Sequence, residues 1–241
     1  MAEPQRRTEP AAGAVPPVAL SVFDLDRTLT RLPTYSRFLL FAARSRTPWR
    51  LLLLPLLLPV ALLYALKIVP RRAMKQAMHR VAIGRALPQR EAARLADRFA
   101  RRLIADGLYA EGIALIERER AAGRRIVIAS AAPHLYTAAL ARRLGIADVV
   151  ASASCWKDGC LTPAIEGANC YGGDKKQRVE AFLAQAGIAR GAAHIRFYSD
   201  HASDLPVFEW ADEPVAVNPS RPLRAIAGAR QWPVLDWRAN R

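Results

Sequence analysis

The sequence predicts an α/β fold with a parallel sheet, because short apolar runs alternate with helical stretches and several runs end in a polar residue. Apolar runs of this kind are typical of strands that are buried on both faces of a sheet. Two of the helical stretches stop at Gly145 and Gly187, where we expect helix C-termini.

We predict strands at residues 18–23, 125–129, 149–151, 195–198 and 215–217, and helices at 111–122, 135–144 and 175–186. Asp24 and Ser130 directly follow two of these strands, and Asp200 follows a third strand after Ser199. Ligands bind outside the carboxyl ends of the strands in such sheets. We therefore expect these three side chains to converge on one edge.

The composition fits one large domain, or one domain with an insertion, since 52% of the 241 residues are hydrophobic. Residues 1–17 lack the apolar core of a signal peptide and are expected to form a disordered lead-in. The three cysteines form no CxxC pair, so we expect neither a zinc site nor a disulfide framework, and a cytoplasmic location fits.

The net charge of +15 favours an anionic partner, which can be a phosphorylated substrate, an acidic lipid or a nucleic acid. A generally basic composition without a specific partner is the alternative. The charge is spread along the chain and no aromatic–basic interleaving suggests a stacking platform, so we expect no nucleic-acid partner.

A long insertion, residues 36–107, separates the first two predicted strands of the parallel sheet. Its second half, from Arg71 to Leu108, is predicted to be helical and amphipathic, because apolar positions recur at helical spacing: Ala92, Leu95, Phe99 and Leu103.

The first half of the insertion contains an uncharged run, residues 51–66, with ten leucines. The run is short for a membrane span and carries Pro55 and Pro59. A single crossing would also separate Asp24 from Asp200, and both flanks are basic. We therefore predict a re-entrant or in-plane contact at the inner face of the cytoplasmic membrane. A buried helix pair or a dimer contact is the alternative.

Asp24 and Asp26 carry the strongest chemical signal, because two bare carboxylates at a buried strand end need compensation. A magnesium ion (Mg2+) is the usual solution. One aspartate can then attack phosphorus, while the other protonates the leaving oxygen and later activates water. An Asx-turn or a helix N-cap is the structural alternative.

Four further groups suit the same chemistry. Asp200 can complete the magnesium shell, and Asp204 can hold a lysine. The hydroxyl of Ser130, the backbone amides at Ala131 and Ala132, and the ammonium of Lys175 suit the oxygens of a phosphoryl group.

These residues resemble the four motifs of the haloacid dehalogenase-like (HAD) phosphatase superfamily, over residues 18 to about 220. The resemblance implies a Rossmann-like HAD core (18–35 and 108–241) with an inserted helical cap of the C1 type (36–107). It implies that Asp24 is the nucleophile, that Asp26 is the acid/base, and that Thr28, Ser130, Ala131 and Lys175 contact the phosphate. It also implies that magnesium binds carboxylates of Asp24 and Asp200 and the main-chain carbonyl of Asp26. Lys176 is the alternative register for the lysine.

The details are similar to subfamily IB, which includes phosphoserine phosphatase, and the leucine-rich cap is similar to that of C-type phosphatidylglycerophosphate phosphatases. Asn169–Gly172 belongs to this subfamily pattern. Arg27, Ala131–Ala132 and His201 depart from the usual residues. Three hypotheses follow: a phosphatase acting on a phospholipid at the membrane surface, a soluble phosphatase of small metabolites, and an inactive phosphate-binding protein. Oligomeric state is not predicted.

Overall fold

The computed structural model of the protein describes residues 17–165 and 172–237. Within them a six-stranded parallel sheet is formed by β1 Val18–Phe23, β3 Arg125–Pro133, β4 Asp148–Ser152, β7 Ala193–Ser199, β8 Glu213–Val217 and β9 Val234–Leu235. The strand order is β4-β3-β1-β7-β8-β9, so β1 lies in the middle. All five predicted strands are present, and the predicted α/β fold with a parallel sheet is confirmed.

Both faces of the sheet are covered by helices, because alternate side chains of each strand enter two separate hydrophobic clusters. From β1, Leu20 and Val22 enter one cluster, and Phe23 enters the other. The helices are α1 Thr34–Arg46, α2 Leu58–Ala65, α3 Arg71–Ala82, α4 Gln89–Arg102, α5 Ala110–Ala121, α6 His134–Arg143, α7 Gly173–Gln185, α8 Leu205–Phe208 and α9 Arg221–Ala229. The first cluster includes residues of α7, α8 and α9, and the second includes residues of α1, α4, α5 and α6.

The insertion is less regular than predicted. Instead of one helical region from residue 71 to 108, α3 ends before Gly84, where φ is +107°, and the two-residue strand β2 Leu87–Pro88 precedes α4. A short π-helix, Leu103–Gly107, closes the insertion. The region is therefore mostly helical, as predicted, but it is divided at Gly84 because glycine at this φ breaks the helix. The predicted apolar face is confirmed, since all four of its residues are buried.

The sequence analysis also missed a hairpin, β5 Ser154–Lys157 and β6 Cys160–Ile165, which pairs with β2 in a small antiparallel sheet. Cys155 and Cys160 are free thiols within it. Residues 1–16 of the predicted lead-in, Cys170 and the pattern residues 169–171 lie outside the described residues. The division into a core and a cap at residues 36–107 stays a prediction.

The leucine-rich run lies on the surface of the insertion, in a 3-10 helix, Pro48–Leu57, followed by α2. None of its residues is buried, and Leu52 is 81% exposed. The stretch Pro48–Ala65 is long and apolar enough to cross a membrane. However, β1 pairs with β3 and β7, which follow the run in sequence. The segments before and after the run therefore lie on the same side of any membrane that the run contacts. Because none of its residues is buried, the alternative of a buried helix pair within the cap is not observed.

Candidate active site

The site is built around Asp24, which directly follows the central strand β1. Its backbone N–H donates to the carbonyl of Tyr198 in β7 at 2.9 Å, and its side chain is buried. One carboxylate oxygen, Oδ1, accepts from Lys175 Nζ at 2.7 Å. The other, Oδ2, accepts from the hydroxyl of Thr28 at 3.3 Å. Asp24 is thus fixed at the carboxyl edge of the sheet, where the strand pattern placed it.

Lys175 joins two strand ends through its ammonium group. It lies in the first turn of α7, is 2% exposed, and donates to Asp204 Oδ2 at 2.6 Å as well as to Asp24. The hydroxyl of Ser199, the last residue of β7, also donates to Asp204 Oδ2, at 2.7 Å. The adjacent Lys176 is 36% exposed and forms an ion pair with Glu180. The lysine at the site is therefore Lys175, as predicted, and not the alternative Lys176.

Asp26 is held by a support that the sequence analysis did not find. Its Oδ1 accepts from the backbone N–H of Thr34 at 2.8 Å and from the Thr34 hydroxyl at 2.7 Å. Tyr136 lies 3.0 Å from the same hydroxyl and can donate to it. Burial raises the pKa of Tyr136 well above its usual value, so this phenol keeps its proton. The chain Tyr136–Thr34–Asp26 orients the second carboxylate.

A cavity of about 270 Å³ lies over these groups, and we call it the carboxylate cavity. Its wall contains seven of the predicted site residues together with their neighbours: Asp24, Asp26, Arg27, Pro33, Ser130, Ala131, Lys175, Asp200, His201, Ser203 and Asp204. Residues distant in sequence, from the segments after β1 and β7, from β3 and from α7, thus meet at one sheet edge. Ser130 is buried, and its hydroxyl oxygen accepts from the N–H of Ala132 at 3.2 Å.

The structure also locates the predicted site residue Thr28 and two residues that depart from the family pattern, Arg27 and His201. Thr28 is fully buried and does not line the carboxylate cavity, so it contacts the carboxylate of Asp24 from behind. Arg27 lines the cavity in a left-handed conformation, with φ +62°. Its carbonyl accepts from Asn218 Nδ2 at 3.2 Å, which fixes this turn. The ring of His201 accepts from the N–H of Ser203, so it caps the following 3-10 turn.

Two carboxyl groups of the carboxylate cavity have raised pKa values. Burial, opposed by Lys175, raises the pKa of Asp24 to about 7. Burial, together with the charges of Asp24 and Asp204, raises the pKa of Asp200 to about 8. Burial lowers the pKa of Lys175, but the charges of Asp204 and Asp24 outweigh it and raise the pKa overall, so Lys175 is charged. The ionised forms of Asp24 and Asp200 are thus disfavoured beside Asp204, and a further cation would stabilise those ionised forms.

The residues present fit a hard divalent cation. Only two side chains, those of Asp24 and Asp200, are among the predicted magnesium ligands. The pKa values of both carboxyl groups are raised, so a nearby positive charge would favour their ionised, metal-binding forms. In the part of the chain that the structure describes, no group of three or more His, Cys, Asp or Glu side chains forms a metal cluster. A ligand set of two carboxylates and one main-chain carbonyl, at Asp26, needs no such cluster.

A family model described as haloacid dehalogenase-like hydrolase matches residues 21–209. The match begins within β1 and ends beyond Asp204, so it includes every predicted site residue.

Two curated relatives come from Mycobacterium tuberculosis (strain H37Rv). A "Probable phosphatase" is 34% identical over 54% of this chain and 44% of its own length. "Phosphoserine phosphatase SerB1" is 28% identical over 58% of this chain and 44% of its own length. The matched part of this chain thus spans less than half of either relative.

A crystal structure of a protein of unknown function from Bordetella pertussis Tohama I is similar over 90% of this chain and 98% of that one. The two chains are 30% identical, and the TM-score is 0.79.

Proposed function

The chain belongs to the haloacid dehalogenase-like hydrolase family, and from this premise we propose that it is a magnesium-dependent phosphatase acting through a phosphoaspartate on Asp24. The proposal is carried by one observation: Lys175 pairs with both Asp24 and Asp204, while Asp26, Ser130 and Asp200 line the same cavity. Burying these charges at a strand edge costs folding free energy, and buried groups with shifted pKa values cluster at functional sites.

The first half of the reaction is a displacement at phosphorus. The Asp24 carboxylate attacks, a phosphorus–oxygen bond to Asp24 forms, and the ester bond to the leaving oxygen breaks. Asp26, oriented by Thr34, donates its proton to the leaving alkoxide. The hydroxyl of Ser130, the N–H of Ala131 and the ammonium of Lys175 stabilise the phosphoryl oxygens.

The second half removes the phosphoryl group from Asp24. Asp26, now a carboxylate, takes a proton from water, and that water attacks phosphorus. The bond to Asp24 breaks, inorganic phosphate leaves, and both aspartates return to their starting states. When bound by Asp24, Asp200 and the carbonyl of Asp26, magnesium supplies positive charge against the phosphoryl oxygens. Thr28 and Lys175 hold the nucleophile in position throughout.

Magnesium should also stabilise the fold, which gives a test that does not depend on turnover. In chelator-treated protein, we expect magnesium at about 100 times its Kd to raise the melting temperature by roughly 5–10 °C. Asp200→Asn should remove most of this rise because one carboxylate ligand is lost, while Asp97→Asn on α4 should keep it. A rise that is unchanged in Asp200→Asn would contradict the ligand assignment.

We further propose that the enzyme works at the inner membrane surface on the head-group phosphate of a phospholipid. The support is the exposed apolar surface of the leucine-rich run, which has Leu52, Leu56 and Leu62 among its exposed side chains. Exposed cations flank it on both sides, at Arg44 and Lys67. A soluble phosphatase of small metabolites remains the alternative function.

Vesicle binding tests the membrane contact. We expect the protein to sediment with phosphatidylglycerol vesicles more strongly than with phosphatidylcholine vesicles. Leu52→Gln with Leu56→Gln should weaken this binding at least about tenfold, because two exposed apolar side chains are lost and no charge is added. Leu32→Gln is the matched control, since Leu32 is 57% exposed outside the run. Equal binding by all three proteins would exclude this surface, and self-association without vesicle binding would assign it to a dimer.

A further inference from the structure

A second cavity adjoins the carboxylate cavity, and Ala131 lies in the walls of both. We call it the side cavity. Helices α1 and α3 of the insertion supply one part of its wall, and the residues that follow Ser130 and those of β6 supply another. A group bound there would be attached close to a phosphate held at Asp24.

The side cavity is small and mostly apolar. Its volume is about 50 Å³, which accommodates a few non-hydrogen atoms but not an acyl chain. Its apolar wall includes Phe38, Leu39, Leu135, Leu161 and Pro163. The group that fits it is therefore a short carbon unit.

His79 on α3 is one of the polar side chains in this wall, together with Tyr35, Lys75, Ser152, Ser154 and Thr162. The residue is 8% exposed, and its Nε2 has no hydrogen-bond partner among the described residues. Burial lowers the pKa of His79 to about 4, so the ring is neutral at pH 7. A buried polar atom without a partner destabilises the fold, and a hydrogen bond from a ligand would remove that cost. A neutral imidazole of this kind is well suited to a hydroxyl group.

The charges around the side cavity disfavour a zwitterionic substrate. Lys75 lines it, with Nζ 5.0 Å from the centre of the Tyr35 ring. The Tyr35 hydroxyl donates to the carbonyl of Lys75 at 2.9 Å, so both residues are held in place. Among the described residues that form its wall there is no Asp or Glu. The ammonium group of an amino-acid phosphate would thus meet Lys75 and, among the described residues of the wall, no carboxylate.

We propose that the side cavity binds the alcohol part of the phosphomonoester, and that this alcohol is short, uncharged and hydroxylated, with His79 hydrogen-bonded to its hydroxyl group. The inference rests on the proposed phosphatase function and names its substrate class. A glycerol-like unit has this chemistry, whether it belongs to a phospholipid head group or to a free ester.

Three esters with three-carbon leaving groups test the proposal: glycerol 3-phosphate, propyl phosphate and phosphoserine. We expect the wild-type kcat/KM for glycerol 3-phosphate to exceed those for the other two by about tenfold. His79→Leu should lower kcat/KM about tenfold for glycerol 3-phosphate and less than about twofold for propyl phosphate, which has no hydroxyl. His79→Gln should restore part of the loss. His194→Gln, at the amino end of β7, is the control.

Equal losses for glycerol 3-phosphate and propyl phosphate, or a wild-type preference for phosphoserine, would overturn the proposal. Phosphatidylglycerophosphate in detergent distinguishes the source of the ligand. A His79→Leu loss that is larger for the lipid than for glycerol 3-phosphate would assign the cavity to a head group, and one that is larger for glycerol 3-phosphate would assign it to a free ester.

Binding keeps the inference separate from the phosphatase proposal. In calorimetric titrations of Asp24→Asn protein with magnesium, we expect glycerol 3-phosphate to bind about tenfold more tightly than propyl phosphate, and His79→Leu to remove this difference. If no ester is hydrolysed by the wild type, the phosphatase proposal fails. The difference in affinity between glycerol 3-phosphate and propyl phosphate still tests whether the side cavity binds a hydroxylated alcohol. If the two esters bound equally tightly, the inference would be overturned.

Discussion

Asp24→Asn should abolish phosphate release, lowering kcat by at least about a thousandfold for every phosphomonoester that the wild type hydrolyses. An amide is a far weaker nucleophile than a carboxylate, and no other described carboxylate has the same contacts with both Lys175 and Thr28. The measurement is steady-state phosphate release with magnesium present.

The control for Asp24→Asn is Asp97→Asn, which makes the same chemical change on the surface of α4. This variant should retain the wild-type rate. Thermal unfolding of both variants checks that the fold is intact. If folded Asp24→Asn protein kept a rate within about tenfold of the wild type, Asp24 would not be the nucleophile.

Lys175→Met should have the second largest effect, because it affects both activity and stability. It leaves the buried carboxylates of Asp24 and Asp204 without their shared cation. Removing one partner of a buried ion pair costs about 3–5 kcal/mol of unfolding free energy. It also removes a charge from the phosphoryl-binding groups, so we expect kcat to fall by about a hundredfold or more.

Lys176→Met is a matched control for Lys175→Met at the adjacent position. Lys176 pairs only weakly with Glu180 at the surface, and a pair of this kind contributes about 0.3–0.5 kcal/mol. Denaturant unfolding and phosphate release of the two variants should therefore differ strongly. Similar losses in both, or a larger loss in Lys176→Met, would contradict the role given to Lys175.

The sheet and its polar edge could be predicted from the sequence because both depend on local patterns. Each buried strand is a short apolar run, Asp24 and Asp200 come directly after β1 and β7, and Ser130 lies in the carboxyl-terminal half of β3. The rule that parallel strands present their carboxyl ends at one edge then brings these residues together. Lys175 could be placed because it opens a helix after a glycine-rich stretch.

The support of Asp26 could not be predicted in this way. Thr34 lies eight residues after Asp26, and Tyr136 lies 102 residues after Thr34, so no local pattern links them. The side cavity around His79 depends likewise on how α3 packs against the residues after β3 and against β6. Contacts of this kind arise from tertiary packing, which a single sequence does not specify.

The missed hairpin had a local signal. Asp158 and Gly159 have φ values of +50° and +71°, and Asp-Gly is a preferred pair for a two-residue hairpin turn. The flanking strands are short and contain cysteines and a proline, so their alternation is weak. The break in the insertion likewise occurs at Gly84, a residue that tolerates the observed φ.

The formation of a phosphoaspartate on Asp24 is tested most directly by trapping it. Wild-type protein is incubated with magnesium and a phosphomonoester, quenched in acid, and reduced with borohydride, which converts an acyl phosphate into an alcohol. Peptide mass mapping should then find homoserine in place of Asp24, and only when the ester was present. Phosphate release at the full rate with Asp24 unmodified, or with another residue modified instead, would contradict the proposed mechanism.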